Sequence, residues 1–208
     1  MNTKDVNKAI REIVGPPLKD LGFRAQNSRD FYLLLPHAIQ VINFQSFNTY
    51  MAKVLEMTPF SFCVNLGIYF GFVPNYIPHI KETEKKLPKE YECHFRWKLK
   101  KNIGLLEYPR EDIWCVTDAV SCQMAVKDAL HSILDRGIPW LKRYSNIDEA
   151  FNILWTQEED YLGEAEAAGV GGIGNMNSPL RNFLLKAFRE YLQANGFLAN
   201  TKTHKRER

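Results

Sequence analysis

FSFCVNLGIYF, residues 60–70, is the stretch on which the fold reading turns. Phe60, Phe62, Val64, Leu66, Ile68 and Phe70 alternate with Ser61, Cys63, Asn65, Gly67 and Tyr69. Successive side chains of a strand point to opposite faces of a sheet, so alternation over this length predicts a half-buried β-strand at the centre of the core. Each of those apolar groups would contribute about 1.5–3 kcal/mol if fully buried, before the entropy of ordering is subtracted.

Working outward, residues 23–25 and 30–35 read as a hairpin around Gln26-Asn27-Ser28-Arg29. Residues 38–48 follow the turn at Pro36-His37. They are apolar on both faces, Val41 and Phe47 against Ile42 and Phe44, which suits an interior strand. Residues 91–99 alternate again. Tyr91, Cys93, Phe95, Trp97 and Leu99 share one face, and Glu92, His94, Arg96 and Lys98 the other. A short strand around 112–116 closes what reads as an antiparallel meander. Gly71, Pro74, Pro78 and Pro88 exclude a regular strand from residues 71–90, a surface loop.

Helical spacing frames these strands. Residues 3–21 carry apolar side chains at helical period, interrupted by Gly15-Pro16-Pro17, which predicts a kink or two short helices. Residues 119–135 return to that period. Gly137-Ile138-Pro139 punctuates, and Trp140, Leu141 and Tyr144 continue the apolar surface. Ser145 with Asp148 resembles a capping arrangement before a short amphipathic helix that carries Ile147, Ala150, Phe151, Leu154 and Trp155. Residues 158–177 are acidic and then glycine-rich, the chemistry of a linker. After Ser178-Pro179 a marked helix carries Leu180, Phe183, Leu184, Ala187, Phe188, Tyr191 and Leu192 on one stripe and ends at Gly196, ahead of a basic tail. The expected fold class is α+β, an antiparallel β-sheet packed by N-terminal and central helices. The expected organisation is a core over 1–157, a linker over 158–177 and a tethered C-terminal helix and tail over 178–208.

The totals agree with a folded domain. The chain has 208 residues, 45% of them hydrophobic and 12% aromatic. A net charge of +3 is too mild to argue by itself for a nucleic-acid or membrane partner. The opening MNTKDVNKAI has no apolar core of a secretory signal. The longest nearly apolar run, residues 60–73, is shorter than the roughly 20 residues of a membrane span. The cysteines, 63, 93, 115 and 122, are expected to be reduced thiols in a cytoplasmic protein.

Several segments occur together in a recognisable order: Leu21-Gly22-Phe23, Phe31-Tyr32, Val41-Ile42-Asn43-Phe44-Gln45, Phe62-Cys63-Val64-Asn65-Leu66-Gly67-Ile68-Tyr69, Glu92-Cys93-His94-Phe95-Arg96, Ile103-Gly104 and Trp114. This pattern, over roughly residues 1–155, resembles the bacterial domain-of-unknown-function 4304 family. The resemblance implies a small bacterial α+β protein and supplies no catalytic motif to carry over.

The sharpest constellation is the polar face of 91–99. Glu92, His94, Arg96 and Lys98, joined by Asn65, Tyr69 and Gln45 from neighbouring strands, are candidates to bind an anionic ligand, with Glu92 fixing the histidine tautomer. Alternation alone explains the same pattern as a solvated strand face. Arg96-Trp97-Lys98-Leu99-Lys100-Lys101 interleaves basic and aromatic residues in a way that suits single-stranded nucleic acid, but Trp97 shares the apolar face with Phe95. Cys93 and His94 are adjacent and would point to opposite faces of a strand, and Cys115 and Cys122 lack zinc-ligand spacing, so no metal is expected. Glu158-Glu159-Asp160 reads as a solvated face. Residues 169–174 match Gly-x-Gly-x-x-Gly without the preceding strand and following helix that a dinucleotide site requires, so no cofactor is expected. No nucleophile motif appears, and no catalytic residue is named. The C-terminal stripe either folds back on the sheet or docks on a partner through Phe183, Leu184, Phe188 and Tyr191. The reading that results is a non-catalytic protein-interaction factor, of accessory or immunity type. The alternatives are an anionic-ligand or nucleic-acid module on the 92–98 face, and an enzyme of unrecognised type.

Overall fold

The computed structural model describes residues 1–74, 87–102, 110–156 and 179–196. β1 (Arg24–Ala25), β2 (Asp30–Leu34), β3 (Ala38–Ser46), β4 (Phe62–Phe70) and β5 (Phe95–Lys98) lie side by side in chain order, every neighbouring pair antiparallel. This is the expected meander. The expected strand at 112–116 reduces to a single bridge between Trp114 and Phe62, whose rings stack 5.8 Å apart.

Register decides what each face carries. Phe31 lies opposite Ile42 and Ile42 opposite Leu66, and Phe44 faces Val64, so these side chains share one face. Helices cover it: α1 (Thr3–Ile13), α2 (Gly15–Asp20), α4 (Ala119–Ser132), α5 (Ile138–Ser145), α6 (Ile147–Thr156) and α7 (Pro179–Ala194). One continuous apolar core joins the sheet to Val6, Ile10, Leu18, Val126, Leu141, Leu154 and Phe188. α1 starts where a reciprocal cap forms: Asn2 Oδ1 accepts from the Lys4 N–H at 2.8 Å, and Asp5 Oδ2 from the Asn2 N–H at 2.8 Å. The Gly15-Pro16-Pro17 break yields two helices, because prolines fit the first turn of α2, where amide donors have no intrahelical acceptor. A further helix, α3 (Thr49–Val54), was not apparent from hydrophobic spacing. It is six residues long, and Asn48 caps it by accepting from the Met51 N–H at 2.8 Å.

Two helix boundaries differ from expectation. Gly137 does not interrupt the chain; α4 passes through one π-helical stretch (Ile133–Gly137) directly into α5. A Cβ on Gly137 would sit 3.3 Å from both Leu66 Cδ1 and Leu99 Cδ1, so the glycine serves the close approach of helix to sheet. The cap of α6 is Asn146, not Ser145: Asn146 Oδ1 accepts from the Asp148 and Glu149 amides at 3.0 and 3.1 Å.

The larger correction concerns β4. It is buried on both faces, with only Tyr69 partly exposed, rather than half-buried. Small residues on the second face allow this. Residues 87–94 lie across it, bent by a 3₁₀ turn at Glu90–Glu92, and Leu87 and Cys93 pack on Tyr32, Ile39, Val41 and Tyr69. The alternating strand expected at 91–99 is therefore shortened to β5. Tyr91 is 63% exposed rather than in the core, and Cys93 is buried on the face opposite Phe95.

α7 folds back. Leu184 and Phe188 are fully buried, and the Phe188 ring lies edge-on to Phe70 and Phe72 at 4.8 and 5.0 Å. The linker assigned to 158–177, with its glycine motif and acidic run, and the basic tail lie outside the described residues, as do residues 75–86 of the 71–90 loop.

Gly67 is a point of close approach on the covered face: a Cβ there would lie 2.6 Å from Cys93 Sγ and 2.9 Å from its Cβ. Gly67→Ala is expected to cost about 1–3 kcal/mol in urea denaturation, the usual penalty of overpacking. A change within about 0.5 kcal/mol, the range of an unconstrained surface substitution, would contradict this packing.

Candidate functional site

The covered face of the sheet holds most of the polar residues singled out above. Asp30, Asn43, Asn65 and Lys98 are successive partners across β2, β3, β4 and β5. Asn43 Nδ2 donates to Asp30 Oδ1 at 2.6 Å, and Asn65 Nδ2 donates to Gln45 Oε1 at 2.8 Å and to Asn43 Oδ1 at 3.4 Å. Asn65 is only 3% exposed, and these bonds offset the cost of burying its amide. Gln45, Asn65 and Lys98 are thus brought together as the parity of β3, β4 and β5 requires.

The cations on this face are engaged. Arg96 pairs in register with Gly67 and grips Glu90 with both arms of its guanidinium, Nε to Oε1 at 2.8 Å and Nη2 to Oε2 at 3.1 Å. Lys98 Nζ lies 3.5 Å from Asp112 Oδ2, and that carboxylate also takes a two-pronged contact from Arg110. Glu92 does not join the face. Its carboxylate accepts from the Lys89 N–H at 2.5 Å and closes the 3₁₀ turn.

His94 stands at the far end of β4, stacked on Tyr69 with ring centres 4.8 Å apart. Its Nδ1 accepts from the Phe70 N–H at 3.0 Å, which leaves the proton on Nε2. Burial disfavours the imidazolium and pushes the pKa down to about 4. The ring is therefore neutral at physiological pH, and the carboxylate expected to orient it, Glu92, is turned to the backbone instead. Burial also raises the Cys63 thiol to about 11 and the Cys93 thiol well above its ordinary value, so neither is an activated nucleophile. The Tyr32 hydroxyl is buried on the same face with no hydrogen-bond partner among the described residues, and burial raises its pKa to about 12.

Chemically this arrangement is a polar layer whose charges are largely satisfied within the chain. Among the described residues no three His, Cys, Asp or Glu side chains gather to hold a metal ion. Trp97 faces the core near Trp140, with ring centres 5.7 Å apart, rather than presenting a stacking platform beside Lys98. Of the C-terminal stripe, Leu184 and Phe188 are interior. Phe183 is half-buried, and Tyr191 stacks on Phe72 at 4.1 Å with its hydroxyl 2.6 Å from His37 Nδ1.

Sequence reasoning missed Glu90, Asp112, Asn43 and Asp30. Asn43 has the same parity as Gln45 and was legible on that ground. Glu90 opens a 3₁₀ turn and Asp112 lies in irregular chain, and at neither does a period predict a partner. No helix among the described residues is long and apolar enough to cross a membrane. A family model described as a domain of unknown function, DUF4304, matches residues 14–143, a span that contains the sheet, this polar layer and most of α5. No curated protein and no solved structure matches the chain.

The depressed His94 pKa fixes a sign. The unfolded chain takes up this proton near pH 6.5 and the folded chain near pH 4, so the stabilising contribution is present above 6.5 and lost as pH falls towards 4. Allowing for residual exposure, the loss attributable to this group is about 2–3 kcal/mol. Proton NMR is expected to show the His94 ring signals unmoved down to about pH 5, and His94→Gln to lessen the acid loss of stability. A His94 titration near pH 6.5 would contradict the buried, neutral assignment.

Proposed function

The chain belongs to the DUF4304 family, and from that premise we propose that it is a non-catalytic bacterial protein-interaction factor, of accessory or immunity type, that meets its partner through α3. One observation carries the reading. α3 buries only Ala52 and turns its large apolar side chains outward, with Tyr50 73% exposed, Val54 58% and Met51 39%. Tyr50 and Val54 are one turn apart and share a side of the helix. Exposed apolar groups scattered singly need no explanation, but three on a six-residue helix form a compact contact surface with an aromatic anchor.

The polar layer supports the non-catalytic part. Its histidine is a weak base, its buried thiols are held protonated, and its arginine and lysine face Glu90 and Asp112. The anionic-ligand and nucleic-acid alternatives would have to displace those carboxylates. All four cysteines are free thiols, which supports a cytoplasmic setting.

The test is affinity purification of the tagged chain from its host, beside the Tyr50→Ser/Val54→Ser variant. The wild-type chain is expected to retain one protein in stoichiometric amount and the variant to lose it, with the Tm unchanged because both side chains are exposed. Retention of the same protein by the variant would overturn the role of α3. Nucleic acid that co-purifies and leaves with salt would favour the strand-face alternative.

A further inference from the structure

The core face of β3 reads Ala38, Gln40, Ile42, Phe44, and the polar member of that series is unexpected. Gln40 is 3% exposed and forms the floor of a cleft of about 370 Å³ between α5 and the β2–β3 hairpin. Its Nε2 donates to Leu141 O at 3.1 Å and to Ser145 Oγ at 2.7 Å, and Ser145 Oγ donates onward to Leu141 O at 2.6 Å. Both amide hydrogens are therefore spent on α5. Turning the amide over would set its oxygen against a carbonyl, so the orientation is determined. Oε1 is left facing the cleft as an acceptor with no hydrogen-bond partner among the described residues. Phe23, Leu33 and Ile138 supply apolar walls, and Lys142 stands at the rim, exposed and with no ion-pair partner among the described residues.

We propose that this cleft binds a small apolar carboxylic acid that carries a hydroxyl or N–H group. The apolar body lies against Phe23, Leu33 and Ile138, the hydroxyl or N–H donates to Gln40 Oε1, and the carboxylate meets Lys142. The volume is near the lower end of the roughly 300–1,000 Å³ of small-molecule sites, and a mostly apolar lining with a few placed polar groups is their usual composition. An amide oxygen that a ligand would cover discriminates for a donor, because a ligand lacking one leaves that oxygen desolvated and unpaired once bound. The site is separate from α3 and stands or falls independently of the protein-interaction reading.

The probes are phenyllactate, phenylpropionate, which lacks the hydroxyl, and phenylpropanediol, which lacks the carboxylate. Each is titrated into the isotope-labelled full chain and followed by amide chemical shifts. Phenyllactate is expected to shift the amides of Leu33, Gln40 and Ile138 saturably and to bind most tightly of the three. Lys142→Gln, a change at an exposed position, is expected to weaken phenyllactate about two- to fivefold, the factor an exposed ion pair supplies, and to leave phenylpropanediol binding unchanged. Absence of saturable shifts at those amides with phenyllactate would overturn the site. Equal affinity for all three probes, or an unchanged phenyllactate affinity in Lys142→Gln, would overturn the assigned recognition.

Discussion

The structure depends on β4 being enclosed on both faces, and that enclosure passes through the close approach of Cys93 to Gly67. With no side chain at position 67, residues 87–94 come down onto the sheet; a Cβ there would meet the sulfur at 2.6 Å. Once that segment is down, Glu90 is in place to receive Arg96 two-pronged, Leu87 joins Tyr32 and Val41, and His94 is held with its Nδ1 on the Phe70 amide. The burial that follows makes His94 neutral and raises the thiols of Cys63 and Cys93. Packing at one glycine thus decides the protonation of the polar layer.

The helix-covered face is closed by the same logic of close approach. Gly137 lets the π-helical stretch between α4 and α5 come down on Leu66 and Leu99, and Phe188 of α7 seals the end of β4 at Phe70. The stripe of α7 that could have served a partner is largely occupied within the chain. The exposed side of α3 and the Gln40 cleft remain as the surfaces on which binding readings rest.

Most of the architecture was legible because it follows from period. Alternation located β4, the turn residues at 26–29 and 36–37 separated β1, β2 and β3, and helical spacing found α1, α4 and α7. What escaped has physical causes. A six-residue helix such as α3 has too few turns to show a stripe. Alternation predicts a strand but not what covers its second face, so Ser61, Asn65 and Gly67 read as the solvated side when they are buried. At 91–94 the alternation was genuine and the strand was not. The carboxylate of Glu92 and the Cys93 N–H bond to Glu90 O bend the chain into a turn first. Parity placed Gln45, Asn65 and Lys98 on one face, but the charge of that face was not legible, because the counter-ions Glu90 and Asp112 come from a 3₁₀ turn and from irregular chain that carry no periodic signal.

Site-resolved thiol labelling of the native chain, read by mass spectrometry, tests the enclosure of β4 most directly. Cys63 and Cys93 are buried on the covered face, while Cys115 is half-exposed. Cys115 is expected to label readily, and Cys63 and Cys93 to be protected together, reacting only through the unfolding that opens the core. Labelling of Cys93 at the rate of Cys115 while Cys63 stays protected would show that residues 87–94 do not close the face and that β4 is not enclosed on both sides.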